Sequence, residues 1–292
     1  MKTIYEKITN EIIKQVEAID EVNWKKPWFT MNNPRNIISD KAYRGINCVL
    51  LSENQYWGTF KQWQEKGCFV KKGEKSKFAT FWKFFNNEED KEDSEKMKGK
   101  AITDIKNKSG RPPLVKYYNV FSMDQVNGEF AEELKEKMQA KLNNNKCSAK
   151  AESFINNYLA SQDISVIKHD VASYSPSLDR IKMPDIGQFE DSSYYYSTFL
   201  HEIAHSSGHK NRLNRNLCYA KEELVAELSS TMLCGIMGIE QKPRPDHAHY
   251  IKSWLSLLKN DRKLIINMAS QAQKACDYIQ ENAVEDNIKL AA

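Results

Sequence analysis

Residues 194–209 read YYYSTFLHEIAHSSGH, and the back of the chain is read outward from them. Inside lies an HExxH, His201-Glu202-Ile203-Ala204-His205. Residues four apart sit one turn apart on the same helix face, so both imidazoles can reach one metal ion. Glu202, beside them, is placed to take a proton from an attacking water. Tyr195, Phe199, Leu200, Ile203 and Ala204 give this helix an apolar side, and Gly208 permits a sharp exit. The competing reading is a solvated helix with two surface histidines; the apolar flank favours the metal.

A third ligand is required. A metzincin would supply it at the end of HExxHxxGxxH; Gly208 fits that pattern, but position 211 is Asn and His209 falls two residues early. Downstream, AKEELVAEL (220–228) opens a second helix that continues through Met232 and Ile236, with Leu224, Leu228 and Met232 as its buried stripe. Glu223 and Glu227 lie one turn apart beside that stripe. Glu223 is the expected ligand, and Glu227 is expected to accept the N–H of a liganding histidine. Glu222, turned about 100° away, is expected in solvent. Two His and one Glu with an open fourth position describe a catalytic zinc, one Zn2+ per chain. His209, Arg212 and Tyr219 are candidates for stabilising a developing oxyanion, with no ranking among them. Upstream, SPSLDRIKMP (175–184) reads as the edge strand of a small sheet, able to align an extended peptide, with Arg180 facing either the cleft or solvent.

The front of the chain has a different character. The first 125 residues carry an excess of Lys and Arg, and the remainder a slight excess of Asp and Glu. Five of the six tryptophans (Trp24, Trp28, Trp57, Trp63 and Trp82) precede residue 86. Halves this different point to two modules with different partners. Cations beside flat rings suit single-stranded nucleic acid, whose phosphates need charge and whose unstacked bases need π-faces. The candidates are Trp24, Lys25, Lys26, Trp28, Arg35, Tyr43, Arg44, Asn47, Lys71, Lys72 and Lys75. Against this, tryptophans in a small domain are more often core, and Arg44 and Asn47 equally suit bracing the fold. Residues 3–19 space Ile4, Ile8, Ile12, Val16 and Ile19 as a helix; 69–84 read as a hairpin, and Leu114 to Phe121 as a further strand. The charged stretch 86–111 is an excursion between two strands. Residues 131–150, with KLNNNKCSAK, read as a linker, which gives domains at 1–130 and 151–292. Further helices are expected at 193–207, 221–237, 246–259 and 262–281.

The sequence resembles the ArdC-type antirestriction proteins of conjugative plasmids and other mobile elements. HEIAHSSGHKNRLNR followed by YAKEELVAEL carries the likeness in the back half. In the front half it is carried by WKKPW (24–28), NPRN, AYRGIN, TFKQWQEKG, VKKGEK and YYNVFSMDQVNG. The order is kept over nearly the whole chain. The resemblance implies an α+β protein, with an N-terminal α+β single-stranded DNA-binding domain followed by a mainly helical zincin-like metallopeptidase domain with a small sheet. It also implies zinc on His201, His205 and Glu223. Ser206-Ser207 departs from the bulkier aromatic-Thr pair expected there.

Two readings of function follow. One is a DNA-associated zinc metallopeptidase acting on a protein substrate found on DNA, where tethering raises the substrate's effective concentration near the site. The other is a non-catalytic protective single-stranded DNA-binding protein with a non-essential zinc site. A nuclease is disfavoured, because it would more naturally show a carboxylate-rich two-metal site. No apolar run approaches the ~18 residues needed to span a bilayer. MKTIYEKITNEIIKQVE has no apolar signal region, so a cytoplasmic location is expected. The six cysteines form no CxxC pair and are expected reduced.

Overall fold

A computed structural model describes residues 4–17, 34–83, 114–143, 147–189, 191–239, 256 and 258–284. The fold is α+β: an α+β front region is followed by a mainly helical region with a small sheet. The expected helix at 246–259 falls largely outside the described residues.

Helix α1 (Ile4–Glu17) buries Ile8 and Ile12, as its apolar spacing requires. Strands β1 (Arg35–Asn36), β2 (Tyr56–Gly58), β4 (Lys77–Lys83) and β5 (Leu114–Ser122) form one sheet in the order β1-β2-β5-β4. Helices α2 (Ile46–Leu50) and α3 (Phe60–Glu65) lie between strands of this region. Thr59 and Gln62 cap α3 reciprocally, satisfying donors that the helix start leaves open. The expected 69–84 hairpin does not form. β3 (Phe69–Val70) pairs instead with β6 (Val126–Asn127), while β4 pairs antiparallel with β5 across the charged excursion. Five residues of turn chemistry at 71–75 suggest local pairing, but β5 offers β4 a partner seven residues long.

Helices α4 (Glu129–Asn143) and α5 (Cys147–Ser161) occupy most of 131–150. Next come β7 (Ser165–Lys168), β8 (Ser173–Ser175) and β9 (Arg180–Met183), a three-stranded sheet in the order β7-β9-β8. The expected edge at 175–184 is thus corrected. β9 is the central strand, with alternate residues Ile181 and Met183 buried, and β7 and β8 are the two edges. A strand that must bury one face against helices sits centrally; the shorter β8 is left outside. Helices α6 (Ser192–Ser207), α7 (Tyr219–Met237) and α8 (Leu264–Asn282) complete the chain.

One continuous apolar cluster runs from Ile8, Leu50 and Trp57 in front to Leu200, Leu228 and Ile279 behind. A smaller one surrounds Trp63. Both tryptophans are core, with indole N–H groups donated to the carbonyls of Asn54 and Phe121 at 2.8 and 2.9 Å. Buried indoles need such acceptors.

Candidate metal centre

Helix α6 begins at Asp191, whose carboxylate accepts from the Ser193 N–H at 2.7 Å. It then runs through the core, so its two histidines enter the interior against α7. His201, His205 and Glu223 converge, each offering one ligand atom, all within 4.8 Å of one another. The two Nε2 atoms are 3.1 Å apart, and the Glu223 oxygens lie 3.5 Å from each. Behind each ring stands a second carboxylate. Glu227 Oε2 is 3.5 Å from Nδ1 of His201, and Glu222 Oε1 is 3.5 Å from Nδ1 of His205. This pattern favours a proton on each Nδ1 and a lone pair on each inward Nε2, the tautomer that binds a metal. The donor set therefore fits one divalent cation.

Glu222 is not in solvent, contrary to the expectation from helix phase. Arg215, folded back from the loop after α6, donates to it at 2.6 and 3.2 Å. The Arg215 side chain is only 3% exposed and also donates to the Ala204 carbonyl and to Ser207 Oγ, both at 2.8 Å. Burial raises the Glu222 pKa, but the hydrogen bonds and charges of His205 and Arg215 outweigh it and bring it down to about 2. For His205, burial lowers the pKa. The bond to Glu222 and the charges of Glu202, Glu223 and Glu222 reverse that, leaving it raised. The same arginine explains two sequence features. A Cβ on Gly208 would lie 2.8 Å from Arg215 Nη2, so Gly208 is there for close approach; its φ of −79° is ordinary. Ser206 and Ser207 are fully buried under Tyr158 and Arg215, which leaves no room for a bulkier pair.

The centre opens into a cleft of about 1040 Å³, lined by Glu202, Thr198, His209, Tyr219 and the segment Val171–Ser177 that carries edge strand β8. His209 and Tyr219 are thus in the cleft. Arg212 is not among its lining residues. It forms a two-bond clamp on Asp179 at 2.8 Å each and donates to the Ser206 carbonyl at 2.9 Å. Tyr174 of β8 also donates to Asp179, at 2.7 Å. The clamp ties the β8–β9 turn to the loop after α6 and so holds β8 at the cleft. Arg180 donates to Ser165 of β7 and lies outside the cleft lining. Asp179, Arg215 and the role of Glu222 were missed from sequence; the only signal was the Arg212-x-x-Arg215 spacing directly after the motif.

Residues 149–271 match the family model for zincin-like metallopeptidases, and residues 2–121 that for the N-terminal domain of anti-restriction factor ArdC. A metal-free crystal structure of the antirestriction ArdC protein from plasmid R388 is 30% identical, with a TM-score of 0.69 over 97% of this chain and 98% of that one. The chain belongs to the ArdC-type antirestriction family. A second structure of the R388 ArdC protein, Mn(II)-bound, is also 30% identical at TM-score 0.69. The uncharacterized protein y4eC of Sinorhizobium fredii is 34% identical over 99% of this chain and 96% of its own length. Two DNA primases TraC of Escherichia coli are 33% and 32% identical, but the chain spans only 27% and 20% of their lengths.

The Mn(II)-bound ArdC structure overturns the expectation of zinc. Two imidazoles and a carboxylate are intermediate to hard donors that suit several first-row divalent ions, so the motif fixes a site without selecting zinc.

In the ArdC-type front region, Trp24, Lys25, Lys26 and Trp28 lie outside the described residues. Asn47 is buried and braces β4: it accepts from Thr80 N and Oγ1 and donates to the Thr80 carbonyl, at 2.7, 2.9 and 2.8 Å. Arg35 is paired with Asp40 and Arg44 with Asp277. Tyr43 is half-buried against the core. Lys71 donates to the Asp124 carbonyl, and Lys72 and Lys75 are exposed. The exposed rings are elsewhere. Phe81 and Tyr118, each about half exposed, share one face of the β4–β5 pair with Lys116. They were missed because alternation separates the two faces of a strand without saying which face stays uncovered.

Proposed function

We propose that this chain is a single-stranded DNA-binding antirestriction protein that protects a mobile element during transfer. In this reading it holds one divalent metal ion through His201, His205 and Glu223, with Glu227 and Glu222 behind the histidines. Its family membership over nearly the whole length carries the antirestriction reading. DNA binding is supported by the Phe81–Tyr118–Lys116 face and the basic front, with Lys72, Lys75 and the 24–28 segment as further contacts. Rings that stay exposed on a sheet are stacking platforms for unpaired bases, a contact that duplex DNA denies. We place the domain junction at 131–150 and the protein in the cytoplasm, where buried thiols such as Cys234 and Cys276 stay reduced.

A second reading, peptide hydrolysis, is supported by Glu202 lying in the same cleft as the ligands and beside edge strand β8. A bound metal ion would act as a Lewis acid on the reacting oxygen. Glu202 would accept a proton from the attacking water and return it to the leaving amine. An extended peptide would align on β8 through backbone pairing, and His209 or Tyr219 would donate to the developing oxyanion. One experiment tests both readings. Glu202→Gln should retain single-stranded DNA binding and protection from restriction during conjugation. Loss of protection with DNA binding intact would favour hydrolysis; failure of the wild-type chain to bind single strands would remove the main proposal.

A further inference from the structure

Arg180, which lies outside the metal cleft, belongs to a different surface. Residues paired in register share one face of a sheet, and the faces alternate along each strand. In β9, Ile181 and Met183 turn inward and are buried where α6 packs on the strand. Arg180 and Lys182 therefore turn to the opposite face. Register sets Arg180 between Ser165 of β7 and Ser175 of β8, and Lys182 between Ile167 and Ser173. The outer face of the small sheet is thus two cations on its central strand, flanked by three serines and one isoleucine, and it carries no carboxylate.

The charge of this face is not cancelled locally. Asp179 is committed to Arg212 and Tyr174, and Asp185 to Lys168 at 2.8 Å. Among the described residues, Arg180 makes one side-chain bond, to Ser165 Oγ at 3.1 Å, and neither cation has a carboxylate partner. The rest of the rear region has a slight excess of acid, so the positive face stands out against its surroundings. Two residues on, a strand has advanced by about 6.5 Å, which lets each cation meet its own phosphate along an extended backbone. Serine hydroxyls at the flanks add donors of the kind that phosphate oxygens accept. The face presents no aromatic ring, so it fits a backbone and not bases.

We propose that a bound single strand continues from the front region across this face, with its phosphates meeting Arg180 and Lys182. The inference rests on the single-stranded DNA reading above. Because β8 also borders the metal cleft, a strand on this path holds a DNA-bound protein beside Glu202. The test compares the wild-type full chain with Arg180→Gln/Lys182→Gln on two fluorescent oligothymidylates over a range of salt. One has about 10 nucleotides, within the ~4–16 that a single binding fold occupies, and the other roughly 40. On the longer strand the log–log salt slope of the variant should be shallower by about 1.4, at ~0.7 for each lost phosphate contact. On the shorter strand the two proteins should agree. Ile167→Glu sets a carboxylate on the same face without touching the Arg180–Ser165 bond, and it should likewise weaken only the longer complex. Equal slopes on the longer strand overturn the inference and leave DNA binding by the front region standing. An equal change on both strands overturns it as well, by reducing the effect to net charge. A thermal midpoint lowered in both variants overturns it too, by giving the face a structural role. If the wild type binds neither strand, the parent reading also fails.

Discussion

Replacing Glu222 by Gln tests the construction of the metal centre at its least obvious point. The carboxylate lies 3.5 Å from Nδ1 of His205 and accepts two bonds from Arg215, at 2.6 and 3.2 Å. The amide keeps the shape and removes the charge. Two consequences add. His205 is left with a neutral amide oxygen in place of a carboxylate, which holds its proton on Nδ1 less firmly, and one of the two Arg215 donors now faces the amide NH2 group. Arg215, 3% exposed, keeps its cation without a counter-charge beside a site that must take a divalent cation. Losing an outer partner of a liganding histidine costs about 10–100-fold in metal affinity, which is about 1.4–2.7 kcal/mol. The stranded guanidinium places the expectation at the upper end. Titration with Mn(II), following the free aquo ion by electron paramagnetic resonance, reads the affinity directly. Glu223→Gln, which removes a ligand, should cost more than Glu222→Gln. Arg215→Met in the Glu222→Gln background should recover part of the loss. Wild-type affinity in Glu222→Gln, or a larger loss there than in Glu223→Gln, would refute the assignment of inner and outer carboxylates.

Gly208→Ala should destabilise the chain by about 1–3 kcal/mol in chemical unfolding, since the added Cβ meets a guanidinium fixed by three acceptors. Asn47→Ala strands buried Thr80 N–H and C=O groups and should cost roughly 2–4 kcal/mol, with affinity for single-stranded DNA per folded molecule unchanged. Asp179 is opposed by burial, but the bonds from Arg212 and Tyr174 and the charges of Arg212 and His209 leave its pKa below the ordinary 3.8. Its contribution is therefore fully present above that value and is lost as pH falls through the lower folded-state pKa. Asp179→Asn should be less stable at neutral pH and should lose less stability on acidification below pH 3.8, read from urea midpoints across pH. Chelation of metal should leave most of the far-ultraviolet helical signal, because α6, α7 and α8 share an extensive apolar core.

The convergence of His201, His205 and Glu223 was legible in sequence because helix periodicity alone places residues i and i+4 on one face, and α6 and α7 obey it. Glu222 was misread for the same reason. Phase predicts which side of a helix a residue occupies, not what packs there, and Arg215 reaches that side from a loop. The front region was less legible. Composition announced cations and rings, but whether a ring is core or platform depends on which sheet face is covered. Trp57 and Trp63 went inside, and Phe81 and Tyr118 stayed out.

By itself, the sequence determined the family through its resemblance and, with it, the α+β class; local spacing determined the HExxH helix and the acid that answers it. Only the tertiary structure decided which strand forms the edge of the cleft, and that Gly208 and the serine pair make room for Arg215. It alone showed that each histidine is backed by its own carboxylate. These depend on contacts between segments far apart in the chain, where packing and burial select one arrangement from several that local propensity allows.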